Sequence, residues 1–395
     1  MDFIDYIDKM KITFITFHNW DTKRVGGFHK FAEACAKAGH EVVFFSYDRP
    51  YYIFFKNEER LNRNVLQTLK KGQRYKVANN EIVNCTWPTL KAPMPFHNYL
   101  PKFVNRWLEG HSLSSFNSFQ KKFLKDTDIF VFESCAGVGL FDRIRQHYPK
   151  AKFVYRPSDP LMTIKASAET VKAETHILQN ADLVLIVNKE SLNLYKSRIP
   201  DFEDKVKYKI LSNGVDVEQF ELTYPCPDLL KGQSTALYVG ARKPEWELIY
   251  YAAERMPDIT FVIVCPEICP TPKILSQYKN IFYVPGIPPS EVPKWITNCT
   301  IVIIPNPKDL YKIKPWGITA KYYQAMAAKK TIVSFDDNDT LKEYGVRVSH
   351  DYESFVSDLR EAFDANVSNA GYSFNLEEKK WDFITKSFIN EIQGL

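Results

Sequence analysis

The chain has 395 residues, of which 45% are apolar, 14% aromatic and 25% charged, with a formal net charge of +5. That composition can bury a sizeable core, which excludes global disorder, and the length predicts two domains rather than one. The 23 Pro and 15 Gly fall without a period, excluding collagen-like and low-complexity chains.

No run of about 18 apolar residues is present, so no transmembrane helix is expected. The stretch from Met1 to Met10 carries Asp2, Asp5 and Asp8 and lacks the basic and apolar regions of a signal peptide, so the expected compartment is the cytoplasm. Seven cysteines stand at 35, 85, 135, 226, 265, 269 and 299 without CxxC spacing. Cys265 and Cys269 are separated by a Pro-containing stretch, and free buried thiols are expected rather than disulfides or a zinc site.

In chain order, Lys11–Phe17 (KITFITF) has a strand-length apolar run, Phe28–Lys37 has helical spacing and stops at Gly39, and Glu41–Phe45 is a second strand. This β-α-β grammar predicts a parallel sheet. Residues 49–125 then hold 14 Lys and Arg against four Asp and Glu, with thirteen aromatics from Tyr51 to Phe123. Basic charge interleaved with aromatics suits a membrane surface or nucleic acid; an ordinary domain face rich in lysine is the plain alternative. The grammar resumes with a strand at Asp128–Ser134, a helix near Val138–Gln146, a strand at Lys152–Arg156, a helix over about Leu161–Leu178 and a strand at Asp182–Val187.

A boundary is expected near 200–210, in the polar stretch PDFEDKVKYK. Beyond it the pattern restarts: strands at Ala236–Gly240, Thr260–Cys265, Ile281–Gly286, Ile301–Pro305 and Thr331–Phe335, helices near Pro244–Arg255 and Ile318–Ala328, and a last amphipathic helix near Glu377–Ile392. Two doubly wound α/β halves follow, in which ligands usually sit at the carboxyl ends of strands, in the cleft between halves.

The turn after the first strand reads HNWDTKRVGG and lacks the G-x-G-x-x-G of a dinucleotide oxidoreductase. No Walker A lysine motif, H-E-x-x-H or G-x-S-x-G is present, and Asp337-Asn338-Asp339 sits in a cluster of turn formers that fits a solvated loop better than a metal site. Three signals remain. The first is SNGVDVEQF (Ser212–Phe220), where the turn is expected to need a positive φ at Gly214. The second is PWGITAKYYQAMAAKKTIV (Pro315–Val333). The helix start near Gly317–Ala320, with Thr319, would offer free N–H groups to a diphosphate. Lys321 would add a full charge as a nucleoside diphosphate departs, and Gln324, on the same face, could reach ribose or sugar. The third is FVYRPSDPLMTI (Phe153–Ile164), which puts Asp159 at a strand's carboxyl end. There a carboxylate can act as general base on an acceptor hydroxyl; a helix N-cap formed by Ser158 or Asp159 is the competing account.

The Asn-Gly-Val-Asp turn with Phe220 resembles the interdomain hinge of GT-B glycosyltransferases. The stretch from Asp128 through RPSDPLMTI, the stretch HNWDTKRVGGFHKFAEACAKAGHEVVFFSYDRP and the KYYQ at Lys321–Gln324 are similar to glycosyltransferase family 70, the GumK-like glucuronosyltransferases. The resemblance spans most of the chain and is best over 126–180. It implies a GT-B fold, two Rossmann-like doubly wound domains facing across a cleft, and inverting transfer from UDP-glucuronic acid without a metal. It also implies a polyprenyl-diphosphate oligosaccharide acceptor at the inner membrane. By the same resemblance Asp159 is the base, and Lys321 and Gln324 serve the donor.

The expected donor set is completed by Gly240, Arg242, Gly286, Ile287 and Thr319, with Arg242 or Lys243 as the cation for a donor carboxylate. The chain departs from the family where no acidic residue stands beside Gly286-Ile287-Pro288 and where Asn306 replaces a donor-site tyrosine, so the donor sugar stays open. His18, Trp20 and Glu133, at strand ends, are acceptor candidates, with turn capping as the alternative. Retaining GT-B enzymes carry two glutamates at positions held here by Trp316 and Gln324, which weakens that alternative.

The expected domains are an acceptor domain over 1–205, a nucleotide-sugar domain over 206–372 and a helix over 373–395 packing back toward the first. The basic-aromatic stretch 49–125 is expected to rest on an anionic membrane surface, which places the protein peripherally on the inner face of the plasma membrane in bacterial polysaccharide synthesis. No cofactor, metal or nucleic acid is expected. Competing readings are a GT-B transferase with another donor or acceptor, a catalytically silent membrane-surface subunit, a nucleic-acid binder and a UDP-sugar epimerase.

Overall fold

A computed structural model describes residues 9–395 apart from 23–24, 48, 56–68, 70, 94, 164–165, 267–271, 308–316, 366–370 and 373–374. Asp2, Asp5, Asp8, Cys269, Pro270, Pro315 and Trp316 therefore lie outside the described residues, as does part of the basic segment. The chain divides into two compact units, residues 1–212 with 384–395, and residues 213–383.

The first unit carries an eight-stranded sheet. Its strands are β1 (Lys11–Thr16), β2 (Glu41–Ser46), β3 (Gln73–Val77), β4 (Asn80–Thr86), β5 (Ile129–Glu133), β6 (Lys152–Arg156), β7 (Leu183–Ile186) and β8 (Tyr208–Ile210), in the order β3-β4-β2-β1-β5-β6-β7-β8. Every pairing is parallel except β3 with β4. In the central strands nearly every residue is buried, with all five positions of β5 covered. A parallel sheet covered on both faces requires such apolar runs. The register aligns Glu133 with Arg156, so the ends of β5 and β6 lie side by side.

Three features depart from the sequence expectation. The β3–β4 hairpin falls inside the basic segment, where Arg74 and Lys76 point outward on an edge strand and leave no apolar run; it turns at Ala78, at φ 51°. The polar stretch expected to divide the domains instead forms the helix Phe202–Lys205 and the edge strand β8, both inside the first unit. The long helix expected from Leu161 is broken into a 3₁₀ turn, Leu161–Thr163, and the helix Ala168–Asn180. Ser167 restarts it, its Oγ accepting the Thr170 N–H at 3.2 Å, as an N-cap serine does.

The last helix, Trp381–Gln393, contributes Phe388 to the first unit's core. Its ring lies 4.5 Å from Phe31 and 6.1 Å from Phe14.

The second unit carries β9 (Thr235–Val239), β10 (Thr260–Val264), β11 (Ile281–Val284), β12 (Ile301–Pro305), β13 (Thr331–Phe335) and β14 (Arg347–Ser349), in the order β11-β10-β9-β12-β13-β14 and parallel throughout. Gly214 requires a different explanation from the one expected. It is not among the residues with positive φ. A Cβ there would lie 2.6 Å from Trp381 Cδ2 and 2.8 Å from Trp381 Cα. Glycine is needed for close approach, and the adjacent backbone is tied down by the Val215 N–H donating to Lys379 O at 2.7 Å.

Candidate functional site

In the second unit the site grows from the end of β9. Tyr238 projects its hydroxyl past Gly240 and donates to Arg242 O at 2.9 Å. A Cβ on Gly240 would overlap that hydroxyl, come 2.6 Å from Tyr238 Cζ and 3.2 Å from Lys321 Nζ. The backbone at Gly240 must therefore be bare for the tyrosine and the lysine to meet. Lys321 Nζ donates to the Tyr238 hydroxyl at 3.3 Å and stands 4.9 Å from its ring centroid. Cys265 Sγ also donates to Arg242 O, at 3.0 Å, fixing the loop that carries Arg242.

Lys321 belongs to the helix Ala320–Ala327, whose N-cap Thr319 makes no side-chain cap. The Thr319 hydroxyl is buried and meets no hydrogen-bond partner among the described residues. First-turn N–H groups have no partner within a helix, and aligned peptide dipoles make that end attract anions. Burial, reinforced by the nearby Arg242 guanidinium, pushes the Lys321 ammonium down to about 8. Two cations beside an uncapped helix start suit a ligand carrying more than one negative charge. Gln324 follows one turn on, half-buried.

Gly286 and Ile287 follow β11, at the sheet's edge. Gly286 has φ +85°, and a Cβ there would meet Pro266 Cβ at 3.1 Å, so its glycine serves both turn and packing. Lys243 is exposed in the loop after β9. Asn306 is held by a buried carboxylate: its Nδ2 donates to Asp336 Oδ2 at 2.9 Å. Asp336 Oδ1 accepts the Asn338 N–H at 2.8 Å, and the Tyr322 and Ser334 hydroxyls share a hydrogen bond at 2.8 Å. Tyr238 and Asp336 were not singled out from the sequence. The G-x-R turn at 240–242 is the one signal near Tyr238, and nothing marks Asp336. Among the described residues no group of three His, Cys, Asp or Glu side chains is placed to hold a metal ion. Asp339 instead pairs with Lys342 and His350.

In the first unit, Asp159 stands half-buried past the end of β6. Its backbone N–H and that of Ser158 both donate to Ser134 Oγ, at 3.2 and 3.0 Å. The N–H groups of Leu161 and Met162, which open the following turn, go to Glu174 at 2.9 and 3.1 Å. Glu174 is buried and also accepts the hydroxyls of Tyr155 and Tyr195, each at 2.8 Å. The capping work that competed for Ser158 and Asp159 is thus done at Leu161 and Met162 by Glu174.

Glu133 is 3% exposed. It accepts the Thr16 hydroxyl on Oε2 and the Ser158 hydroxyl on Oε1 at 3.0 Å. Burial raises its carboxyl to about 7, against those two hydroxyls and the Arg156 charge. His18 Nε2 stands 3.7 Å from Glu133 Oε1, so His18 and Glu133 share a site. The Trp20 ring lies 5.5 Å from His29, 5.3 Å from Phe44 and 6.4 Å from Tyr75, and the His29 ring is in turn 5.2 Å from His18. Arg156 is fully buried, its guanidinium 4.8 Å over the Phe31 ring, and burial brings it down to about 10.

Two parallel-sheet units whose candidate residues stand past the carboxyl ends of strands have the GT-B glycosyltransferase fold. Residues 14–187 match the family model of the N-terminal domain of the glucuronosyltransferase GumK, and the chain is GumK-like over that stretch. It is 27% identical over 141 residues to the UDP-glucuronate:glycolipid 2-beta-glucuronosyltransferase of Xanthomonas campestris pv. campestris, a match covering 36% of this chain and 33% of that relative. The aligned part thus spans about a third of the relative's length.

Among solved structures, an E. coli trehalose-6-phosphate structure bound with UDP-2-fluoro glucose has a TM-score of 0.63 at 11% identity, covering 98% of this chain and 99% of that one. Anabaena HepE in complex with UDP has a TM-score of 0.62 at 11% identity, covering 98% and 100%. A glycosyltransferase from Rickettsia africae has a TM-score of 0.58 at 13% identity, covering 98% and 96%. At these identities the likeness is one of fold.

Proposed function

We propose that this protein is an inverting, metal-independent glycosyltransferase. It moves a sugar, with glucuronic acid the leading candidate, from a UDP-sugar to a polyprenyl-diphosphate-linked oligosaccharide in bacterial polysaccharide synthesis. The observation that carries the reading is the meeting of Lys321 with Tyr238 over a bare Gly240, at an uncapped helix start. Such a place receives a diphosphate and takes up the charge that develops as UDP departs. In the reaction Asp159 removes the acceptor hydroxyl's proton, and the oxygen attacks the anomeric carbon as the bond to the UDP oxygen breaks. UDP leaves with its charge on Lys321, Arg242 and the helix N–H groups. Gly286, Ile287, Gln324 and Asn306 are assigned to the nucleoside and sugar, and His18 and Trp20 to the acceptor. The UDP ligands of the fold neighbours and the GumK relative's glucuronate donor support this reading.

The acceptor's lipid assigns a place as well as a substrate. Phe96, Tyr99, Phe103, Trp107 and Leu113 are 54–82% exposed in a stretch that contains Lys102 and is flanked by Lys91, Lys121, Lys122 and Lys125. We assign this surface to the anionic inner face of the plasma membrane, where each basic residue adds about 1 kcal/mol and aromatic rings settle at the interface. No helix among the described residues is long and apolar enough to cross a membrane.

The test is thermal unfolding with a panel of nucleotides and UDP-sugars, with and without EDTA. UDP and one UDP-sugar should stabilise the protein equally in both, by about 2.7 kcal/mol at a hundredfold excess over Kd, and Lys321→Ala should abolish the effect. Failure of every nucleotide to shift the transition would sink the reading and favour a catalytically silent membrane-surface protein.

A further inference from the structure

Glu133 is nearly inaccessible, and both its oxygens are engaged within the first unit. It is built into the fold between β1 and the turn after β6. Together with Ser134 it holds the turn after β6: Ser134 Oγ accepts the N–H groups of Ser158 and Asp159, and Glu133 Oε1 accepts the Ser158 hydroxyl. The far side of the same turn is held by Glu174 through Leu161 and Met162. Glu133 is in turn steadied from β1 by Thr16.

Resting on the assignment of Asp159 as base, we propose that Glu133 is the positioning residue of the reaction: it fixes the Ser158–Asp159 turn through the Ser158 hydroxyl and does not touch the acceptor. Glu133 accepts a hydroxyl from each side, Thr16 from β1 and Ser158 from the turn. A carboxylate makes both of them donate, which sets the direction of the Ser158 O–H and hence the seat of the turn. The charged and titratable groups facing Glu133 are His18 from the loop after β1, and Arg156 and Asp159 at the end of β6. The negative charge of Asp159 therefore adds, after burial, to the cost of charging Glu133.

The experiment compares Glu133→Gln, Glu133→Ala and Ser158→Ala in the full-length protein, with Asp159→Asn as control. Two readouts are used. The first is transfer from UDP-glucuronic acid or UDP-glucose to a detergent extract of bacterial lipid-linked oligosaccharides, followed from roughly 1.5 pH units below to two above the Glu133 value of about 7. The second is amide exchange of the peptide covering 157–163. Glu133→Ala should lower kcat at least about tenfold while KM for the UDP-sugar and thermal protection by UDP stay unchanged. It should also speed exchange at 157–163 but not in β7. Glu133→Gln, which keeps the shape, should retain most of the rate and lose the inflection near neutral pH, an effect that a purely structural role would not produce.

Wild-type kcat, pH profile and exchange in both Glu133 variants would overturn the proposal. If Asp159→Asn is fully active, the assignment of the base fails instead. If no acceptor turns over, the exchange experiment still decides whether Glu133 holds the turn. Should Glu133→Ala not fold, Glu133→Gln and Ser158→Ala carry both readouts.

Discussion

The ammonium of Lys321 donates to the Tyr238 hydroxyl at 3.3 Å while that hydroxyl donates to Arg242 O at 2.9 Å. One tyrosine thus sets the lysine and, through the carbonyl, the loop that carries the second cation. Because the lysine is largely desolvated and lies near Arg242, it holds its proton weakly, with a midpoint near 8. A diphosphate that supplies the missing negative charge should restore that proton.

The first prediction concerns this proton. Near pH 8 the free protein carries Lys321 about half protonated, and bound UDP favours the charged form. Binding should therefore take up close to half a proton at pH 8, and UDP affinity should fall by up to about tenfold per unit as pH rises above 8. Calorimetry in buffers of different ionisation enthalpy measures the uptake directly. The sign for folding is opposite to that for binding. The folded lysine binds its proton less tightly than the unfolded one, so its contribution opposes folding below about pH 8 and fades as pH rises toward its ordinary range. A proton-neutral UDP titration at pH 8 would exclude a charge-forming role for Lys321.

Gly240→Ala is predicted to abolish nucleotide binding with little cost to the fold. The added methyl would displace the Tyr238 hydroxyl and crowd Lys321 Nζ, and moving a tyrosine tip at a strand end is cheaper than shifting a sheet. Thermal unfolding with and without UDP separates the two effects: the variant's own transition should lie close to wild type, and the UDP shift should vanish.

Gly214→Ala should behave in the opposite way. One of the atoms its Cβ would meet is backbone, Trp381 Cα at 2.8 Å, so a side-chain rotation cannot relieve the overlap. A loss of about 1–3 kcal/mol is expected, the range for overpacking. Urea unfolding followed by tryptophan fluorescence checks it, and UDP binding by the folded fraction should persist.

Replacing both Phe103 and Trp107 by serine should release the protein from vesicles. These residues are one helical turn apart on the helix Lys102–Glu109 and are 75% and 54% exposed, so the change costs apolar surface offered to lipid and little core. Co-sedimentation with vesicles containing phosphatidylglycerol should fall several-fold, while UDP protection stays at the wild-type level. Unchanged sedimentation would remove this surface from the membrane reading.

The central strands were legible in the sequence because parallel strands buried on both faces are written as apolar runs, as in FVYR at β6 and IVIIP at β12. The edges were not: β3 and β8 carry Arg74, Lys76 and Lys209 on exposed faces, so their pairing shows only in three dimensions. Lys321 could be found because a helix start after a small-residue turn has a local pattern. Tyr238 could not, since its place depends on Gly240 being bare and on a lysine 83 residues further on. Glu133 was noticed as a strand-end residue, but its partners Thr16 and Ser158 lie 117 and 25 residues away, and no local spacing reveals them. The Asn-Gly turn pattern does point to Gly214, but its need is for the close approach of Trp381 and not for a positive φ.

Phe388 closes the core of the first unit against Phe14 and Phe31, yet it is joined to that unit only after residues 213–383. The second unit is therefore an insertion within the first. On a ribosome, residues 1–212 emerge with a hydrophobic socket that stays unfilled until the second unit has been made, a wait of roughly ten to thirty seconds at bacterial rates. A nascent chain of this kind carries an open apolar face in the cell for that interval. A fragment ended at 212 would retain that face permanently, whereas a circular permutant that begins with the last helix would have it covered from the start.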